Sequence, residues 1–292
     1  MSPTATIIGH SRCKLGESPL WDPQAKVLYW VDSVAPCVWR LDPATGDQRA
    51  IPLPDRVGSI VLGQPGELLA GLADGVYRLN LATGACQVIV RPAELVDGER
   101  LNDGKTDRRG RYITGSLVMG HDNPIGKLFS FSGGETYQVL PTDPVAISNS
   151  ICFSPAGDVL YFADSLRNLV WSYAYDQETG ALGARRDLID TSSLGSAPDG
   201  ATVDAEGFLW VALVQAQKIA RFAPDGRLGQ ILDSPVPFPS CPAFGGEDLK
   251  TLFVTSISDS GGRLVSADDG AGRLIAYSGL GVGGIAETRC HL

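Results

Sequence analysis

The chain has 292 residues, a formal net charge of −9 and a pI near 4.8, with 43% hydrophobic and 20% charged residues. That charge repels phosphate backbones and anionic lipid, so neither nucleic acid nor a membrane surface is an expected partner. Thirty-five glycines and 19 prolines favour many short strands and tight turns over long helices, and the expected class is all-β.

The opening stretch MSPTATIIGHSRCKLGE lacks the charged and long apolar regions of a secretory signal, and no run of about 18 apolar residues follows. A cytoplasmic location is expected. Six scattered cysteines without CxxC pairs are expected to be reduced and mostly buried.

Along the chain, six apolar or aromatic runs read as strands: VLYWVDS, ELLAGLAD, RYITGSL, VLYFADS, FLWVALV and TLFVTSI. Each is followed by a second strand and a turn, as in CVWRLDPATGD and GVYRLNLATGA. With Leu28, Leu68, Tyr112, Leu160, Leu209 and Leu252 as markers, the spacings are 40, 44, 48, 49 and 43 residues. Such a period, with about four strands per unit, predicts a six-bladed β-propeller occupying residues 1–292 as one domain.

The repeats also share a polar phase. Glu17 and Asn149 stand 11 residues before their markers, and Asn102 and Asp199 stand 10 before theirs. The segment entering the inner strand lies at one mouth of a propeller's channel, so these four side chains are expected to converge there. The other two blades offer Val57–Gly58 and Cys241–Pro242 at this phase. Two carboxylates and one or two amide oxygens suit a divalent cation, with calcium, magnesium or manganese favoured and zinc or iron(II) admitted. Asn-Asp-Gly and Pro-Asp-Gly are also good turn formers, and Asp103–Gly104 is expected to make such a turn.

At these residues the chain resembles the SMP-30, gluconolactonase and regucalcin family of six-bladed propellers. The likeness is carried, in order, by LGESPLWD, RLNDGKTDRRGRY, ISNSICFSPAGDVLYFADS, APDGATVDAEGFLWVAL and SCPAFGGEDLKTLFVTS. The resemblance implies that Glu17, Asn149 and Asp199 bind one divalent metal ion and that Arg100 and Asn102 contact substrate. It implies hydrolysis of a sugar lactone to the free acid, with the metal as Lewis acid and Asp199 also serving as general base. Ser150 stands where the family usually has glycine. The loop LVMGHDNPIGK is short and lacks an acidic substrate contact, a role for which His121 or Asp122 is the substitute.

Other readings of the same scaffold are a propeller that binds calcium or small ligands without catalysis and an aryl-ester or organophosphate hydrolase. A polar mouth lined by Arg and Asn argues against the last. SDSGG (258–262) resembles a protease nucleophile segment but reads as a loop of the last blade, and GLGVGG (279–284) lacks the helix a dinucleotide site needs. Trp30, Trp171 and Trp210 are expected to pack between blades, and His10 and His291 to be solvated. A monomer is expected.

Overall fold

The computed structural model describes residues 3–292. Six four-stranded antiparallel sheets follow one another around a central axis, giving the six-bladed β-propeller read from the repeat. Among the described residues the only helical segments are two single 3-10 turns, Ser165–Arg167 and Ser192–Leu194. None is long and apolar enough to cross a membrane.

Five blades are built from consecutive strands; the sixth takes three from the chain's end and its outer strand from the start. Thr4–Ile8 pairs antiparallel with Leu274–Ser278, Thr4 opposite Ser278 and Ile8 opposite Leu274. This shared blade closes the ring, because a sheet that borrows a strand leaves no free seam to open.

The innermost strands are Gly16–Asp22, Val57–Leu62, Glu99–Thr106, Ser148–Phe153, Pro198–Val203 and Pro239–Gly245. The runs that set the repeat, such as Val27–Asp32 and Val159–Asp164, are the second strand of each blade. The expectation that the polar phase lies on an approach to the inner strand is therefore corrected: it lies on the inner strand itself. Second strands read clearly because both faces are covered by neighbouring blades. Inner strands crowd the axis and carry the small residues that fit there.

Between the blades sit Trp30, Trp171 and Trp210, all at most 2% exposed. Trp30 stacks on Trp39, while Trp210 meets Phe244 of the next blade edge to face. All six cysteines are free; Cys13, Cys152, Cys241 and Cys290 are buried, and Cys37 and Cys86 partly so. His10 and His291 are exposed. Segment 258–262 is loop, and 279–284 contains no helix.

Beyond the last strand the chain crosses the far end of the channel. Gly284 bridges Asp204, Glu287 pairs with Lys105 at 3.4 Å, and the amides of Cys290 and His291 donate to Leu62 and Gly110 carbonyls. Glu287 and Lys105 are largely buried, and the carboxylate holds the Lys105 ammonium above its ordinary pKa against the burial that lowers it. This segment thus ties blades that are distant in sequence and covers the mouth opposite the polar ring.

Candidate functional site

All six innermost strands break register at the same depth: after Glu17, Val57, Leu101, Asn149, Pro198 and Pro239. A β-bulge there re-aims side chains and lets six strands approach the axis. Glu17 and Asn149 are the last paired residues before their bulges, and Asn102 and Asp199 the first residues within theirs. The one-residue offset in the repeat has this origin.

Two consequences depart from the sequence reading. Asp103 and Gly104 lie in strand, not in a turn; Asp103 accepts from the Gly104 amide at 2.8 Å and from Ile151 of the next blade at 2.8 Å. Ser150 adopts the left-handed conformation that suits glycine, with φ +57°, and its hydroxyl donates to the Asp199 carbonyl. The serine therefore keeps the bulge and adds a tie to the neighbouring blade.

The four ring side chains line a cavity of about 700 Å³. Asn149 donates to Asp199 Oδ1 at 2.8 Å and to Ser165 Oγ at 2.8 Å, and its Oδ1 accepts from Asn102 Nδ2 at 3.2 Å. Asn102 Nδ2 also donates to the Ser148 carbonyl at 2.8 Å, while Arg100 Nη1 donates to Asn102 Oδ1 at 2.8 Å. Arg100, Asn102, Asn149 and Asp199 form one chain of hydrogen bonds across three blades. Both Nδ2 protons of Asn102 are engaged, so its free capacity toward a ligand is one Oδ1 lone pair. Glu17 faces the cavity from blade 1, opposite blade 4 in the ring.

Buried carboxylates at the ends of the second strands brace this floor. Asp164 accepts from the amides of Ala146, Ile147 and Leu166, so it fixes both the entry to Asn149 and the turn bearing Ser165. Asp32 does the same for the approach to Glu17 through Lys14 and Leu15. Each clamp satisfies backbone donors that would otherwise be orphaned.

Charge is concentrated on the floor. Burial, then the Asp103 carboxylate, pushes Asp199 up to about 8, and burial followed by Asp199 and Asp103 raises Glu17 well above the carboxylate range. Burial, then Arg56, lowers Arg100 to about 10. Like charges held together in a dry site raise one another's proton affinity, and a cation among them would relieve that repulsion.

The cavity wall departs from the polar mouth expected: Leu15, Leu117, Val118, Met119, Ile147 and Leu264 are among its lining. His121 lines it too, exposed, its Nδ1 accepting from the Asn123 amide at 3.2 Å. Asp122 lines it as well but is ion-paired to Arg263 of the last blade's loop. Arg56, Ser165 and Gln215 also line the cavity. They escape the repeat reading because they lie outside the ring phase.

Among the described residues no three His, Cys, Asp or Glu side chains group as a metal site. The set offered here is two carboxylates with an amide oxygen, drawn from three blades.

Residues 15–258 match the model of the SMP-30/gluconolactonase/LRE-like region. The chain is 31% identical to the 6-deoxy-6-sulfogluconolactonase of Pseudomonas putida, over 98% of both chains. It is 34% identical to the L-arabinolactonase of Azospirillum brasilense, over 86% of this chain and 84% of that one. The solved structure of a calcium-binding protein, regucalcin, from Agrobacterium tumefaciens superposes with a TM-score of 0.90 at 26% identity, covering 98% and 97% of the two chains. By its repeat, its motifs and these matches, the chain belongs to the SMP-30/gluconolactonase family.

Proposed function

We propose that the protein hydrolyses a sugar lactone to the free aldonic acid on the floor of this cavity, with one divalent cation held by Glu17, Asn149 and Asp199. The observation that carries this reading is the convergence of those three oxygen donors beneath a cavity of about 700 Å³. The chain's likeness to two named sugar lactonases supports the substrate class.

The donor set fits a divalent cation. Two carboxylates with raised proton affinity are crowded, and among the described residues neither has a cationic side chain within ion-pair distance. Oxygen-only donors favour calcium, magnesium or manganese, and still accept zinc or iron(II). A relative named as calcium-binding is consistent with this. When bound, such a cation supplies Lewis acidity toward an ester carbonyl and acidifies water.

The chain's own residues do the rest. Asn149, fixed through its Nδ2, keeps a lone pair on Oδ1 for ligation. Arg100 donates to oxygens that the lactone carries away from the ester and so orients it, while Asn102 accepts from a hydroxyl. Asp199 takes the proton from the attacking water as the new C–O bond forms at the carbonyl carbon. The ring C–O bond then breaks, and the released oxygen takes that proton back from Asp199 to leave a hydroxyl and restore the carboxylate. The apolar wall packs on the C–H face of the sugar and keeps bulk water from the floor.

One observation favours a second reading, aryl-ester hydrolysis: the same apolar wall would receive an aromatic ring. A pH-stat assay of metal-stripped protein against pentonolactones, hexonolactones and an aryl ester, with and without each divalent ion, separates the readings. Cation-dependent acid release, fastest on one or two sugar lactones, is expected. Faster release from the aryl ester would move the assignment to that class, and tight cation binding without any release would make the protein a binding propeller.

A further inference from the structure

The second blade offers no oxygen at the ring phase. Its inner strand has Gly58 there, packed so closely that an added Cβ would lie 2.4 Å from the Asn102 carbonyl oxygen. Immediately before that strand stands Arg56, half-buried and lining the cavity. Among the described residues its guanidinium has no carboxylate within ion-pair distance, unlike that of Arg263.

Beside it, Arg100 is 6% exposed, and its Nε is buried without a hydrogen-bond partner. The two arginines are close enough for Arg56 to add to the burial that lowers Arg100's pKa. Buried guanidinium donors are seldom left unpaired in a folded chain, because the loss of water is not otherwise offset.

The charges lining the cavity can be counted. Asp122 is paired to Arg263, and a divalent cation would balance Glu17 and Asp199. Arg56 and Arg100 then remain as two positive charges, against which stands only the Asp103 carboxylate. Asp103 lies beneath the floor with its oxygens taken by the Gly104 and Ile151 amides, and Lys105 below it is paired to Glu287. A positive cavity in a chain of net charge −9 selects for an anion where the rest of the surface repels one.

We infer that the substrate is an anionic lactone, carrying a carboxylate, phosphate or sulfonate away from the ester, and that Arg56 together with Arg100 receives this group. This rests on the lactonase reading above and deepens it. The planar forks of two arginines suit the oxygens of such a group, and charge-assisted contacts of this kind discriminate strongly against a neutral analogue. Arg56 sets specificity.

The test uses metal-loaded wild type, Arg56→Gln and Arg56→Lys. Each is assayed on a neutral aldonolactone and on counterparts bearing a terminal carboxylate, phosphate or sulfonate. Calorimetric binding of the corresponding open-chain acids is measured alongside. At least one anionic lactone is expected to have a kcat/KM about ten-fold or more above the neutral one. Arg56→Gln should cut that ratio by about ten-fold, chiefly through KM, with Arg56→Lys between the two. Added salt should shrink the preference in wild type. Equal use of neutral and anionic lactones, or a preference that survives Arg56→Gln, overturns the inference. If no lactone is turned over, anionic acids that bind wild type and bind Arg56→Gln markedly more weakly would keep the anion site while the lactonase reading falls. Equal or absent binding would sink both.

Discussion

Asn149 joins three blades through one amide, holding Asp199 and Ser165 while receiving Asn102. Removing it takes away an oxygen donor and leaves the Asp199 carboxylate short of a partner. Asn149→Ala is therefore expected to weaken divalent-cation binding at least about ten-fold and to destabilise the cation-free protein by about 1–3 kcal/mol. A calorimetric cation titration together with a thermal melt checks both. Unchanged affinity would remove Asn149 from the site. The four ring residues were legible in sequence because a repeat fixes depth as well as spacing. Arg56 was not, since it sits just outside that phase in a blade with nothing polar at it. Asn-Asp-Gly favours a turn in isolation, whereas here pairing with the next strand before and after the bulge holds Asp103 in a strand.

At the scale of the element, the innermost strand is what the sequence conceals. Second strands, rich in aromatic and aliphatic residues, announce themselves. Inner strands such as Pro198–Val203 carry Pro, Asp, Gly and Ala, which read as loop, because close approach at the axis leaves little room for larger side chains. Gly200 shows how little room there is: a Cβ would lie 2.3 Å from Cys241 Sγ and 2.8 Å from Cys241 Cα in the next blade. Gly200→Ala should accordingly cost about 2–3 kcal/mol by forcing neighbouring inner strands apart. It should also lower turnover, since Asp199 is the preceding residue. A denaturant titration reads the first effect; a midpoint unchanged from wild type would show that the inner strands are less crowded than these distances imply.

For the whole molecule, closure and charge act together. The borrowed strand Thr4–Ile8 seals the ring, and the final segment with Glu287 covers the far mouth, while the cavity over the polar ring opens at the other. The ring count followed from the repeat period, but the crossing of the final segment did not, because its glycine-rich start matches no element and Glu287 meets Lys105 only in three dimensions. Burial raises Glu17, Asp103 and Asp199 in the folded chain, Asp199 to about 8. Between the ordinary carboxyl range and that value, the folded state holds protons that the unfolded state has released. Stability of the cation-free protein should therefore be greatest at low pH within this window and fall as pH rises through it. A saturating divalent cation should flatten the fall, because it replaces those protons and binds only the folded ring. Melting temperatures across pH with and without cation test this, and a cation-free profile that rises over the same range would contradict the charge arrangement described.

The most direct comparison is the initial rate of acid release from the preferred sugar lactone by metal-loaded wild type and Asp199→Asn, measured by pH-stat at equal cation occupancy. Asp199→Asn keeps the shape of the side chain and an oxygen donor but removes the charge and the proton acceptor. A loss of about 10²–10⁴-fold in kcat with the fold intact is predicted. Turnover near the wild-type rate at full occupancy would show that Asp199 neither takes the proton nor supplies the charge on which lactone hydrolysis at this site depends.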